Sequence, residues 1–303
     1  MGNQYFPFVI AFVMLALGLT LTVDDFRRAA TLRRPLAVAL ICQAVVLPTV
    51  CLLVAEVFHL QPPLAVGLML MAATPGGTMA NILSHLVNGD LAINLTLTAI
   101  NAVLSIFTIP AILAVSMTWF LGEGRFIPLQ VDKFLAVFGL ILIPTAIGIA
   151  VRHRFPDLAA RLQKPVRIIA GALLVSAILA AIAGGKTSLY NNFGVVAGAA
   201  VSFCFIALTV GYLAPRLMRM APRQSIAISL EIGLHNAVVA MGIELSPQLL
   251  NNAEMAIPAA VYSALAPILA LTFVFVVRRV DPAYRVVAQP EVHSDAAVTK
   301  RPA

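Results

Sequence analysis

Apolar residues run along this chain in long blocks, without the every-second-residue alternation that a half-buried strand leaves. Each block reaches about 20 residues, the length a helix needs to cross the hydrocarbon core of a bilayer. The blocks fall at roughly 5–22, 36–58, 64–86, 91–119, 131–151, 166–184, 193–215, 224–245 and 255–277. They predict about nine transmembrane helices and an all-α polytopic membrane protein. A closed barrel is the other solution to backbone satisfaction in lipid, and its strands would alternate. Residues 1–280 thus form a single transmembrane domain. The stretch 281–303 is polar and aperiodic, and is expected to be a disordered cytoplasmic tail.

Composition agrees with the blocks. Hydrophobic residues make up 61% of 303 and charged residues only 11%, too little polar surface for a soluble domain of this length. The net charge of +7 does not point to nucleic acid, because the basic residues follow the loops. With the N-terminus outside, inner connections hold Arg27, Arg28, Arg33, Arg34, Arg152, Arg154, Arg161, Lys164, Arg167, Arg216, Arg219, Arg223, Arg278 and Arg279. Outer connections hold only Arg125, Lys133 and Lys186. The positive-inside rule then sets the N-terminus outside and the C-terminus in the cytoplasm, with membrane lipid as surroundings and a bacterial inner membrane as the expected location. Cys42, Cys51 and Cys204 lie inside apolar runs and are expected as buried thiols. Asp24 and Asp25, followed by four arginines, are expected to form a solvated interfacial cluster.

Two blocks are interrupted. In the third, Thr74-Pro75-Gly76-Gly77-Thr78 sets a proline and two glycines at mid-membrane. Proline lacks an amide donor and glycine admits conformations that a continuous helix does not. In the eighth, Gly233 stands among Glu231, His235 and Asn236. Each interrupted block is followed, at matching distances, by one with a central proline, Pro110 and Pro267. Paired broken segments in corresponding positions of two halves are the sequence pointer to a transporter built from repeats.

An ionisable group at bilayer depth costs about 2.5–3.5 kcal/mol on insertion scales and marks an ion or substrate path by default. Glu231 is such a group, and it shares a helix face with His235. Around the first break lie Thr78, Asn81 and His85; Asn94, Thr98 and Asn101 follow on the next block, and Gln43 lies within the second. One carboxylate among amide and hydroxyl oxygens suits a hard monovalent cation such as Na⁺. Unwound backbone would add carbonyl ligands, and freed helix N-termini would attract an anion. The same polar side chains would also serve to fasten helices together, a role worth around 0.6–2 kcal/mol each. Solvation at the inner interface accounts for His85.

The segments PGGTMAN at 75–81, GLTLTVDDF at 18–26, Gln43 five residues before Pro48, and LEIGLHN at 230–236 together resemble the bile acid:sodium symporter family. The likeness runs in order over about residues 5–277. It implies inverted repeats, two broken helices that cross, and a division into panel and core. The panel would comprise the blocks near 5–22, 131–151 and 166–184. The core would comprise those near 36–58, 64–86, 91–119, 193–215, 224–245 and 255–277. Carried over by position, one Na⁺ site would draw on Asn81, Asn94, Thr98 and Glu231. Ala80 stands where the family has a hydroxyl, and Asn94 where a serine is usual. A second site would draw on Gln43, Glu231 and the carbonyls of Ile232 and Leu234. His235 replaces the glutamine usual there and brings nitrogen in place of oxygen. Thr78 and Asn236, with Gly77 and His235 beside them, would meet the anionic head of the substrate.

The expected function is a sodium-coupled symporter that imports an organic anion, bile-acid-like or a small carboxylate, by alternating access with one or two Na⁺. The alternative is a proton-coupled or efflux carrier on the same scaffold, with His235 in place of a sodium ligand. An enzyme is not expected, since the chain has neither an H-E-x-x-H pair nor a cysteine site. The oligomeric state stays open, and a monomer suffices for this chemistry.

Overall fold

The structure, a computed structural model, describes residues 6–122, 131–184, 186–247, 249–281 and 283. Of the expected cytoplasmic tail all but Asp281 and Ala283, together with Arg125 and the side chain of Thr78, lie outside the described residues. Every regular element among the described residues is a helix.

Helix α1 (Phe6–Thr20) takes the first apolar block, and the short α2 (Val23–Arg28) turns the chain at its end. Thr22 starts α2 by a reciprocal cap. Its backbone N–H donates to Asp25 Oδ2 at 2.7 Å, and its hydroxyl accepts from the Asp25 amide at 3.3 Å. This corrects the expectation of a solvated acidic pair. Asp24 is exposed beside Arg27, but Asp25 is buried because its carboxylate is needed as the cap.

The second block forms one rod over Arg33–Val57, made of α3 (Arg33–Ile41), a π-helical turn at Cys42–Val46 and α4 (Leu47–Val57). Pro48 offers no amide to the carbonyl one turn before it, and a wider turn absorbs the misfit. That turn contains Gln43, which is buried.

The third block is split into α5 (Pro62–Ala73) and α6 (Thr78–Leu86), with Thr74–Gly77 extended between them. The eighth is split into α11 (Pro222–Gly233) and α12 (Ala237–Leu245). The remaining helices are α7 (Leu91–Leu121), α8 (Val131–Arg154), α9 (Pro156–Gly184), α10 (Lys186–Leu217) and α13 (Ala256–Val280). Helices α7 and α13 run unbroken through Pro110 and Pro267, so proline alone does not open a helix here. Four described stretches, Arg33–Val57, Leu91–Leu121, Leu189–Leu217 and Ala256–Val280, are long and apolar enough to cross a membrane.

The split helices sit innermost. Every residue from Leu64 to Gly77 and from Ile226 to Leu245 is buried. Helices α4, α7, α10 and α13 enclose them and turn Leu53, Phe107, Phe205 and Phe275 outward, as rods in lipid do. Helix α1 packs on α8 at the glycine pair Gly18 and Gly148, where a side chain on either would strike the other helix's backbone.

Candidate functional site

The two breaks meet. Gly76 and His235 pair as an antiparallel bridge, with Asn236 N donating to Pro75 O at 2.9 Å and Gly77 N to Leu234 O at 3.2 Å. The Thr74 hydroxyl accepts from Asn236 N at 3.1 Å and donates to Met71 O at 2.8 Å. From α13, the Tyr262 hydroxyl donates to Gly233 O at 2.8 Å. Broken backbone is tolerated away from water only where its polar groups find such partners. Each break thus supplies much of what the other lacks.

Against this crossing lies the Glu231 carboxyl, fully buried at the end of α11. Thr98 on α7 donates to Glu231 Oε2 at 2.8 Å, while Oε1 has no partner among the described residues. Gly76 lies so close to this carboxyl that a side chain there would collide with both its oxygens. Asn94 donates its amide nitrogen to Ala227 O at 2.9 Å, and because a carbonyl only accepts, the orientation of that amide is fixed. Asn94 Oδ1 is left buried without a partner, and so is Asn81 Oδ1 on α6. These unsatisfied oxygens lie on three neighbouring elements, α6, α7 and α11. A hard cation would fit these oxygens, which only accept, while Asn101 Nδ2, likewise buried on α7 without a partner, is the one amide donor beside them among the described residues. Ala80, buried where a hydroxyl is usual in the family, adds no oxygen.

A second group gathers on the Thr74 carbonyl. Gln43 Nε2 donates to it at 3.2 Å and to Ala72 O at 3.3 Å, which leaves Gln43 Oε1 buried and unpartnered. His235 places Nδ1 3.0 Å from the same Thr74 oxygen. A carbonyl cannot donate, so Nδ1 carries the hydrogen and Nε2 is left as an acceptor without a partner. The imidazole stacks on Phe203 with ring centroids 5.5 Å apart and leans on Tyr262. Ile232 lies in the last turn of α11, where carbonyls run out of helical donors, and Leu234 O already accepts from Gly77.

Gly77 precedes α6 with no side chain to cap it, and Thr78 opens that helix. Asn236 caps α12, its Oδ1 accepting from Val239 N at 3.3 Å. Gly77, His235 and Asn236 line one end of a cavity of about 320 Å³ bounded by α1, α6, α9, α12 and α13. The structure therefore joins Asn94 to the Glu231 helix, Thr98 to Glu231 itself, and Gln43 to His235 through Thr74. It does not bring in His85, which is exposed near Asp90 and Arg223.

Four residues were not singled out beforehand. Thr74 and Gly76 belong to the proline–glycine segment, so the signal was there. Tyr262 is one aromatic in an apolar run and carries none. Glu244 was legible as a second acid within a block; it is fully buried on α12, and neither carboxyl oxygen has a partner among the described residues.

A profile of the Sodium Bile acid symporter family matches residues 7–192. The chain belongs to that family. Matches to relatives cover more of the chain than the profile does. A rice protein (Oryza sativa subsp. japonica), "Probable sodium/metabolite cotransporter BASS2, chloroplastic", is 27% identical over 261 residues, covering 86% of this chain and 60% of its own length. A Bacillus subtilis protein, "Uncharacterized sodium-dependent transporter YocS", is 23% identical over 262 residues, 86% of this chain and 79% of its own. The human "Sodium-dependent organic anion transporter" is 29% identical over 244 residues, 78% and 63% respectively. The chain thus spans under two thirds of the rice and human proteins.

Proposed function

We propose that this protein is a sodium-coupled symporter that imports an organic anion by alternating access. The observation that carries this is the fully buried Glu231 carboxyl at the paired breaks, with unsatisfied oxygens on Asn81 and Asn94 and, among the described residues, no cationic side chain bonded to it. Uncompensated burial of a carboxylate is costly, and a bound cation repays it. The names of the relatives, sodium-dependent and organic-anion-carrying, support the same reading. Nine spans in inverted repeats, a panel with α1, α8 and α9, and a core with the split helices are part of it. So are an outside N-terminus and a cytoplasmic C-terminus.

In this mechanism Na⁺ is cargo that also organises the site. Asn81, Asn94, Thr98 and Glu231 hold it, and so fix α6, α7 and α11 against one another. The uncapped start of α6 and the Asn236 amide then meet the substrate's anionic head. Each ligand raises the affinity of the other by one shared coupling free energy. With one Na⁺ per monoanion no net charge crosses; with two, one does, worth about 2.3 kcal/mol per 100 mV. Uptake of an organic anion into proteoliposomes tests the reading. External Na⁺ should drive it, and choline at an unchanged pH gradient should stop it. Uptake that continues in choline would remove sodium coupling and favour the proton-coupled carrier.

His235 bears on the number of ions. Its Nδ1–H occupies the Thr74 carbonyl alongside Gln43, where a glutamine side chain would bring an oxygen. The expectation is one sodium in this chain, and His235→Gln should steepen the dependence of uptake on sodium concentration. An unchanged sodium response in that variant counts against a second site lost at His235.

A further inference from the structure

We infer that Glu244 is a proton-binding site apart from the cation site, one that holds its proton while the outer half of the protein is closed and releases it to the outer solution when that half opens. The inference rests on the alternating-access reading and the orientation above.

The two split helices match in length. Helices α5 and α11 each have 12 residues and start at a proline, Pro62 and Pro222, while α6 and α12 each have 9. Their breaks pair antiparallel through Gly76 and His235, so α6 and α12 leave the crossing in opposite directions. Counted from Thr78 and Ala237, His85 and Glu244 stand at the same position of their helices. They are counterparts on opposite sides of the membrane, His85 on the inner side near Arg223 and Glu244 on the outer.

Their surroundings differ. His85 is exposed beside a polar space lined also by Asn88, Asp90, Arg223 and Gln224. Glu244 is fully buried, with neither oxygen partnered among the described residues. The chain beyond α12 folds back over it: Asn252 N donates to Glu244 O at 2.7 Å and Leu250 N to Ile243 O at 3.4 Å, and Leu249 is buried there. When one repeat takes up the arrangement of the other, access passes to the opposite face. Glu244 then stands in water, as His85 does now.

No charge faces Glu244 in the closed form. The helices packed most closely on α12 are α1, α5, α9 and α13. Helices α1 and α5 carry no ionisable residue. On α13 the Tyr262 hydroxyl is taken by Gly233 O, and Arg278 and Arg279 lie in the last turn, at the inner end. Helix α9 carries Asp157, Arg161, Lys164 and Arg167 in its first half, where Gln163 bonds Leu19 O near the inner end of α1. Glu244 lies two residues beyond Gly242, which abuts Ile10 in the outer half of α1. Glu254, on the connection, is exposed. A lone carboxylate away from water is strongly unfavourable, so the closed form keeps the proton. A metal ion would need several oxygens and finds none bonded to this group, whereas a proton needs only the carboxyl itself.

A cysteine reporter tests this without any substrate. Leu249→Cys places a thiol on the connection, and the native thiols of Cys42, Cys51 and Cys204 are buried. Membrane vesicles of either orientation are treated with a membrane-impermeant methanethiosulfonate over a range of pH. Opening should expose the reporter to the outer side alone. Each opening releases up to one proton, so labelling should rise with outer pH up to about tenfold per unit more steeply than in the same reporter carrying Glu244→Gln, which has no proton to release and shows only the thiol's own titration. Ser246→Cys, close in shape to the serine, serves as reporter if Leu249→Cys does not fold. Equal steepness with and without Glu244→Gln, or labelling from the inner side, would overturn the proton site and leave alternating access standing. No labelling from either side at any pH would overturn alternating access, and this inference with it.

Discussion

Glu231→Ala is expected to abolish sodium-stimulated uptake while leaving folded protein in the membrane. The side chain is fully buried, and Thr98 donates to it at 2.8 Å. Taking it away removes the negative charge that would hold a cation among neutral oxygens, so coupling between the two ligands is lost. A coupling free energy of the usual size gives a stimulation of roughly 5–150-fold, and all of it should disappear. Folding should survive, because deleting a buried charge leaves no opposite charge stranded here: among the described residues no lysine, arginine or histidine bonds to this carboxyl. Glu231→Gln separates charge from shape. It keeps the volume and an oxygen for Thr98 to donate to, and should still lose sodium stimulation. Radiotracer uptake in proteoliposomes at matched protein content measures both. Normal sodium stimulation in either variant would detach Glu231 from the cation site.

Much of the fold was legible because lipid imposes a simple grammar on sequence. Apolar blocks of spanning length located the helices, and the proline–glycine segment at 74–78 located one break to within a residue. The second break was less plain. Gly233 is still helical, and the chain opens at Leu234–Asn236, where no proline or glycine stands. What opens it is tertiary: the bridge to Gly76, Asn236 N donating to Pro75 O, and the Tyr262 hydroxyl waiting for Gly233 O. No local rule contains those partners. The burial of Asp25 escaped for a related reason, since two adjacent acids before four arginines look alike until a cap claims one. Within the site, residue types were legible from Glu231, Asn94 and Thr98. The convergence of Gln43 and His235 on a single carbonyl was not, because a glutamine at position 43 and a carbonyl at position 74 meet only after α4 and α5 pack.

Two adjacent glycines make opposite predictions, and the contrast isolates the geometry of the crossing. A methyl group at Gly76 would overlap the Glu231 carboxyl, its carbon and both oxygens. Those atoms are the free end of a flexible side chain, so Gly76→Ala should displace the carboxylate and spare the backbone. Overpacking of this kind costs about 1–3 kcal/mol, which corresponds to roughly 5–150-fold in apparent sodium affinity. At Gly77 the same methyl would come no nearer than 3.8 Å to Asn236 Cα and 3.9 Å to its Cβ, an ordinary contact. The Gly77 backbone, φ −108° and ψ 179°, is one that alanine adopts freely. Gly77→Ala should therefore keep the sodium affinity of the unaltered chain. If Gly76→Ala acts only through the carboxylate, adding it to Glu231→Ala should change nothing more, since contacting residues in one interaction are not additive. Sodium titration of uptake compares the two glycine variants, and thermal stability without sodium measures the cycle, since Glu231→Ala has no sodium response left to lose. A further loss in the double variant would mean that the methyl group disrupts the paired breaks themselves, whereas equal affinities for Gly76→Ala and Gly77→Ala would mean that Glu231 does not hold the ion from where it now lies.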